Sequence, residues 1–281
     1  MTNWIPTDRQ TERLQYRRRR ALRRSAVAAA STAGVLAVLI TLAVRAPGWE
    51  RVQATYFDLR YARDLLPELA RAFVLNVKLF VVAEVLILLV ALLVALVRVI
   101  PSAALTPLRF LAIVYTDVFR GTPTLLVVFL VCFGLPALQL QGVPTDLFWL
   151  GIIALTLSYG AYVAEVFRAG IASIHPSQWA AGRSVGLTYA QTMRHVVLPQ
   201  AVRRIVPPLI NDFVSLQKDT ALVATAGLVE ILREAQINAS RDFNFTPYVV
   251  AAVFFVVLTV PLARFADWLA LRQVRREQGG R

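Results

Sequence analysis

Long apolar runs divide the chain, and the segments between them hold most of its charge. A helix needs about 20 consecutive apolar residues to cross hydrocarbon, because every backbone amide must be bonded within its own segment. Runs of about this length or longer occupy residues 25–44, 72–97, 110–136, 147–167, 206–232 and 247–270. The pattern predicts an all-α, polytopic membrane protein with about six transmembrane helices.

The distribution of arginine predicts how these helices are oriented. Short cytoplasmic loops keep an excess of Lys and Arg. With both termini inside, the inner segments contain 20 arginines and the outer segments contain seven. The inner segments are 1–24, 98–109, 168–204 and 264–281, and the outer ones are 45–71, 135–147 and 233–246. We therefore expect both termini in the cytoplasm.

A basic tail, residues 1–24, precedes the first apolar run. Its arginines from Arg17 to Arg24 are expected to orient the helix at 25–44 and to contact anionic lipid. A cleaved signal peptide is the alternative, but its apolar core is usually only about 7–15 residues long. The net charge of +13 would indicate nucleic acid in a soluble protein. In a membrane protein we expect no nucleic-acid partner.

The chain lacks the motifs of an enzyme. No G-x-x-x-x-G-K-[ST] segment is present, so nucleotide phosphates cannot be bound by that route. His175 and His195 are far apart in sequence, and Cys132 is the single cysteine. No Ser/His/Asp or paired-carboxylate arrangement is evident. We predict no catalytic residue, no metal and no bound cofactor.

The segment 169–204 is longer than a turn requires, and no Asp or Glu occurs between Val166 and Ile210. Pro176 suits the first turn of a short helix, and Gly186 suits its end. Thr188 and Gln191 have the spacing of a capping box for a second helix, which Pro199 is expected to stop. Two short helices joined at a glycine could fit the groove of a soluble partner, or could form a surface hairpin without one.

The same segment resembles the coupling loop of ABC importer permeases. The family spacing E-A-A-x3-G-x9-I-x-L-P is matched by Ala180, Ala181, Gly182, Gly186, Val196, Leu198 and Pro199. The flanking SYGAYVAEVFRAGIASIHPSQW, the following LPQAVRRIVPPLINDFVSLQKDTALVA and the earlier FRGTPTLLVVFLVCFGLP are similar to the polar amino-acid branch. The resemblance covers about residues 66–270. It implies a type I permease domain there, followed by a cytoplasmic tail at 271–281. Many members begin with the span that corresponds to 72–97, so the helix at 25–44 is an extra N-terminal one.

Two positions depart from the family pattern. Ala180 stands where the family has Glu, which removes a carboxylate that could pair with a basic group on the ATPase. Gly182 stands where the family has Ala, which weakens the first helix by about 1 kcal/mol. The departure at Ala180 slightly favours a heterodimer in which the other permease supplies the Glu.

Polar residues inside the apolar runs are candidates for a substrate path, because charges in hydrocarbon usually face a cavity or another helix. The spacing i, i+4, i+7, i+8 predicts one helical face for Asn211, Ser215, Lys218 and Asp219, with a Lys218–Asp219 pair as the alternative. Thr116, Arg120 and Thr124 would share another face, beside a bend at Gly121 and Pro123. Arg120 could attract a substrate carboxylate, or pair with Asp117 or Glu165. Glu84 and Glu165 could equally be partners that pair helices, and neither is assigned a specific role.

The resemblance implies a permease subunit of a bacterial plasma-membrane importer for glutamate, glutamine, arginine or histidine. Its implied partners are an ATPase dimer that binds ATP and Mg²⁺, an identical or paralogous second permease, and an extracytoplasmic substrate-binding protein. An ion-coupled secondary amino-acid transporter is the alternative, although that reading calls for internal repeats that are not evident.

Overall fold

The computed structural model describes residues 8–279, and every regular element in that range is a helix. The helices are α1 Asp8–Arg45, α2 Trp49–Tyr56, α3 Leu59–Val99, α4 Thr106–Gly121, α5 Thr124–Phe129, α6 Leu135–Ala137, α7 Leu147–Ala172, α8 Pro176–Ser184, α9 Tyr189–Thr192, α10 Leu198–Asp219, α11 Ile231–Asp242 and α12 Thr246–Gly279. The chain divides into two compact units, and the boundary lies between Phe57 and Asp58. The all-α, polytopic class expected from the sequence is confirmed.

The first unit consists of α1 and α2. Helix α1 has 38 residues, which at 1.5 Å per residue gives a length of about 57 Å. It therefore contains the apolar run 25–44 and also the part of the predicted tail from Asp8 onwards. Residues 1–7 of that tail lie outside the described part. Gly48, with φ +97°, separates α1 from α2.

The second unit is organised around α7, which packs against α3, α4, α5 and α10. Two-thirds of its apolar window is buried. Small residues let helices approach closely in membranes, and Gly160 illustrates this. A β-carbon at position 160 would lie 2.7 Å from the Tyr115 hydroxyl and 3.3 Å from Val90 Cγ1. Helices α3 and α4 therefore pack directly on the backbone of α7.

Within residues 8–279, four helical stretches are long and apolar enough to cross a membrane: Leu22–Arg45, Trp49–Val99, Leu147–Ala172 and Thr246–Ala270. A fifth is counted if the pair Ala103–Gly121 and Thr124–Ala137, bent by 107°, forms one span. The bend expected at Gly121 and Pro123 is confirmed, and it is sharp enough to make two helices of the predicted 110–136 span.

The predicted span 206–232 does not form one helix, so its boundaries are corrected. Helix α10 ends at Asp219, and a 3₁₀ segment, Thr220–Ala226, leads to Gly227 with φ +107°. Helix α11 then begins at Ile231. The apolar pattern did not reveal this break because Thr220–Ala226 is uncharged. Every 18-residue window of α10 contains at least three charged residues, so α10 is not among the helices that are apolar enough to cross a membrane.

Candidate functional site

The first helix of the predicted coupling loop begins as expected. Helix α8 spans Pro176–Ser184, with Pro176 in its first turn. His175 is the N-cap, and its Nδ1 accepts a hydrogen bond from the Ser177 amide at 3.2 Å. Proline suits this position because the amide it lacks would have no helical partner there. These local contacts define the start of α8.

Gly186 ends α8 in a Schellman motif, as its position predicts. Its φ of +82° lies in the left-handed region that favours glycine. The Gly186 amide donates to Arg183 O at 3.0 Å, and the Leu187 amide donates to Gly182 O at 3.1 Å. These two bonds satisfy carbonyls that a helix end leaves open. A β-carbon at position 186 would meet no atom within 4 Å, so the constraint there comes from the backbone alone.

The second helix begins with the predicted capping box. The Thr188 amide donates to Gln191 Oε1 at 2.9 Å, and the Gln191 amide donates to Thr188 Oγ1 at 3.3 Å. The rings of Trp179 in α8 and Tyr189 in α9 stack with centroids 5.1 Å apart. The two helices of the loop are thus held together at their exposed side.

The prediction that Pro199 stops the second helix is wrong. Helix α9 continues through a π-helical turn, Met193–Val197, directly into α10, where Pro199 lies in the first turn. Proline removes one helical hydrogen bond and its ring crowds the carbonyl four residues earlier. The wider π-helical turn coincides with the residues that would be crowded. The coupling loop therefore runs into α10 without a break.

Gly182 has a packing role. The sequence pattern indicated only that glycine, in place of the family alanine, weakens the helix. Gly182 is buried, and a β-carbon there would lie 2.5 Å from Thr192 Cγ2 and 2.8 Å from Thr192 Oγ1. Thr192 is fully buried. Glycine therefore lets α8 approach α9 closely, which offsets its lower helix propensity.

The remaining loop residues divide into an exposed and an inner set. Ala180, Ala181 and Pro199 are exposed, as is Leu198, and Val196 is half-buried. The inner side packs on a cluster formed by Ile174, Val197, Ala201 and Ile205. Arg204 Nη1 also donates to Ser173 O at 2.5 Å. Residues 176–197, which we call the knob, thus connect the end of α7 to the start of α10.

Arg120 lies at the end of α4 and is exposed. Among the described residues its guanidinium forms no hydrogen bond or ion pair, so neither predicted pairing, with Asp117 or with Glu165, is present. Its backbone carbonyl accepts a hydrogen bond from the Tyr162 hydroxyl at 3.2 Å. Arg120 thus lies at the bend without an ion pair, and its charge acts on Glu165 from a distance.

Glu165 pairs with two other arginines. Its Oε2 accepts from Arg98 Nη1 at 2.9 Å, and its Oε1 accepts from Arg168 Nη2 at 2.5 Å. Arg98 Nη1 also donates to Thr116 Oγ1 at 3.1 Å. Glu165 thus joins the end of α3 to α7.

Thr124 does not share a helical face with Thr116 and Arg120. It begins α5, beyond the sharp bend, whereas the other two lie in α4. Thr124 Oγ1 is 3.0 Å from Ser158 Oγ of α7, and either hydroxyl can donate. The bend therefore separates the residues that a continuous helix would align.

Helix α10 carries the other predicted path residues. Asn211 and Lys218 are exposed, and Ser215 is half-buried. Asp219 Oδ2 accepts a hydrogen bond from the Tyr159 hydroxyl at 2.7 Å. The alternative Lys218–Asp219 ion pair is absent from the described residues. The four residues lie along one side of α10, which we call the polar stripe, and Asn211 and Lys218 are its exposed part.

A buried polar network was missed by the sequence reasoning. Asn76 Nδ2 donates to Glu230 Oε2 at 2.7 Å and to Thr220 Oγ1 at 3.2 Å, and Asn76 Oδ1 accepts from the Ile231 amide at 3.1 Å. All three side chains are at most 2% exposed. The network ties α3 to the 3₁₀ segment and to the start of α11.

A second contact of the same kind joins α10 to α12. Thr259 Oγ1 donates to Gln217 Oε1 at 2.6 Å, and Gln217 is buried. Uncharged polar residues within apolar runs were the available signal for these contacts. The predictions considered mainly charged residues and the stripe on α10, so Asn76, Gln217 and Thr259 were left out.

The histidines and the cysteine lie apart. His175 caps α8, His195 is exposed in the π-helical turn, and Cys132 is buried. In residues 8–279, no three His, Cys, Asp or Glu side chains come together as potential metal ligands.

Comparison with known proteins identifies a family. Residues 89–275 match the family described as binding-protein-dependent transport system inner membrane component. The chain is 37% identical over 167 residues to the probable glutamine ABC transporter permease protein GlnM of Bacillus subtilis, covering 59% of this chain and 76% of the relative. It is 33% identical over 198 residues to the arginine transport system permease protein ArtQ of Bacillus subtilis, covering 70% and 88%.

A solved structure shows the same fold. It is described as an amino acid ABC transporter with histidines, and its matched chain is 32% identical to this one. The TM-score is 0.69, and the match covers 78% of this chain and 98% of that chain.

Proposed function

This chain belongs to the binding-protein-dependent transport system inner membrane component family, and from that premise we propose that it forms the membrane path for a polar amino acid. Members of this family are ABC importer permeases and carry no ATPase site of their own. The chain is accordingly an integral inner-membrane subunit of an amino-acid importer. Family membership contradicts the alternative of an ion-coupled secondary transporter.

The finer substrate class is glutamate, glutamine, arginine or histidine. Relatives named for glutamine and arginine support it. The exposed Asn211 and Lys218 and the half-buried Ser215 support a polar path along α10. Arg120, which forms no ion pair within the described residues, suits an α-carboxylate. A second permease, identical or paralogous, would close the path on the side of this stripe.

Coupling to a separate ATPase dimer, which would bind ATP and Mg²⁺, is assigned to the knob formed by α8 and α9. One observation carries this assignment: a Schellman motif, a capping box and the Trp179–Tyr189 stack hold the two helices together as one unit. A rigid projection transmits displacement to the helix with which it is continuous, here α10. The exposed basic and apolar surface, without Asp or Glu from 166 to 210, suits a groove with neutral or acidic walls.

The arginine distribution places both termini on the same side of the membrane as the knob, so a substrate-binding protein is expected on the opposite face.

Pull-down with this chain as bait tests the proposal. An ATPase should copurify, and its substrate-stimulated turnover should fall strongly with Gly186→Val, because a branched residue is strained at φ +82°.

Gly186→Asn is the matched control, because asparagine tolerates positive φ and position 186 has open space. It should retain most of the turnover. A chain that purifies alone and takes up amino acids without nucleotide would refute the proposal.

A further inference from the structure

A cavity of about 560 Å³ lies where the helical path of α10 ends. Its walls are the end of the 3₁₀ segment with Gly227, the first turns of α11 and the first turn of α12. The polar lining includes Arg233, Gln236 and Thr225, and Leu232 and Tyr248 contribute apolar surface. Binding sites for small molecules commonly combine this size with a few polar groups on an apolar wall.

Arg233 is a cation without a carboxylate partner. Its Nη1 donates to Gln236 Oε1 at 2.7 Å, and it forms no ion pair with any described residue. Arg241 on the same helix differs, because it pairs with Asp242 at 3.2 Å. A guanidinium has five N–H donors in a planar fork that matches a carboxylate. Most donors of Arg233 are therefore available to an anion in the cavity.

The neighbouring acid is already engaged. Glu230 accepts from the Arg233 backbone amide at 2.9 Å through Oε1 and from Asn76 through Oε2. It is fully buried and acts as the N-cap of α11. Glu230 therefore holds the backbone at Arg233 without neutralising its side chain.

We propose that this cavity receives the α-carboxylate of the incoming amino acid at the outer mouth of the path, with Arg233 as its bidentate partner. The inference rests on the proposed function. The cavity adjoins the 3₁₀ segment Thr220–Ala226, which directly follows α10, the helix that carries the polar stripe. Leu232 and Tyr248 provide apolar surface for the aliphatic part of the ligand.

The test uses the complete importer in proteoliposomes, with its ATPase and substrate-binding protein, and tritiated glutamine and tritiated arginine as probes. At saturating substrate-binding protein, Arg233→Gln should lower uptake by about tenfold to a hundredfold, as expected for the loss of a charge-assisted bidentate contact. Arg233→Lys should recover part of the rate. Arg241→Gln, the same charge change outside the cavity, should leave uptake within about twofold.

Affinity of the substrate-binding protein for the importer is measured in parallel and should be unchanged in Arg233→Gln. A weaker affinity with an unchanged uptake rate at saturation would overturn the proposal, because the cavity would then hold an acidic side chain of that protein. Unchanged uptake and affinity in a correctly assembled Arg233→Gln importer would also overturn it. Failure of the wild type to take up either probe with ATP would instead count against the proposed function.

Discussion

Gly182 of α8 and Thr192 of α9 approach so closely that a β-carbon at position 182 would lie 2.5 Å from Thr192 Cγ2. The contact packs α8 against α9, which the Trp179–Tyr189 ring stack also joins. Thr192 Oγ1 is buried there without a hydrogen-bond partner. Residue size at these two positions therefore controls how α8 and α9 pack.

Gly182→Ala should destabilise the knob although alanine is the better helix former. Overpacking costs about 1–3 kcal/mol, which outweighs a propensity gain of about 1 kcal/mol. Both the thermal midpoint in detergent and ATPase coupling should fall. Adding Thr192→Ala removes Cγ2 and Oγ1 and should restore much of the loss. Gly134→Ala, where the added carbon meets no atom within 4 Å, is the control, and equal effects at 182 and 134 would contradict the packing argument.

Asn76→Ala should be among the most destabilising substitutions in the chain. It would leave Glu230 Oε2 and the Ile231 amide without Asn76, in a site almost closed to solvent. Leaving a buried donor or acceptor without its hydrogen-bond partner costs about 1–3 kcal/mol for each group. Thermal unfolding of the purified chain measures the loss. Asn211→Ala on the exposed stripe should change stability by less than about 0.5 kcal/mol, and an equally small effect at Asn76 would refute the role of the network.

Glu84 in α3 and Asp212 in α10 should destabilise one another. Glu84 is affected first by burial and next by the charge of Asp212, and Asp212 Oδ2 is buried without a hydrogen-bond partner. Glu84→Gln and Asp212→Asn should each raise the free energy of unfolding by about 1 kcal/mol or more. The double variant should gain less than the sum, because either substitution removes the same repulsion. Strictly additive gains in a double-mutant cycle would show that the two charges do not interact.

Glu234 should make stability depend on pH. Partial burial, and next the charge of Glu68, raise the pKa of Glu234 above its ordinary value of 4.5. The folded state therefore binds the proton of Glu234 more tightly than the unfolded state does, so protonation of Glu234 stabilises the fold. This contribution is complete below the unfolded pKa and is lost as pH rises through the raised folded pKa. Glu234→Gln should abolish that part of the pH profile of the thermal midpoint. Glu68→Gln should shrink it, and an unchanged profile in both variants would exclude the pair as its source.

Much of the knob could be predicted because its signals are local. Gly186 and the Thr188–Gln191 box act through hydrogen bonds between residues at most five positions apart, and Pro176 acts through its own fixed φ and missing amide. The bend at Gly121 and Pro123 was predictable for the same reason, since both residues act on their own backbone.

Contacts between distant residues required the tertiary structure. Asn76 and Glu230 are 154 residues apart in sequence. No local pattern indicates that Glu230 accepts a hydrogen bond from Asn76. The partners of Glu165 and the cavity at Arg233 depend in the same way on how helices meet.

The amino-acid pattern by itself determined an all-helical membrane chain with a two-helix knob, because apolar runs and helix caps are local properties. The tertiary structure decided that α9 continues into α10 past Pro199, that the run 206–232 breaks at Gly227, and that Gly182 faces Thr192. Each of these three features depends on contacts that form only when the helices pack. Such contacts offset lost hydrogen bonds or leave no space for a larger side chain.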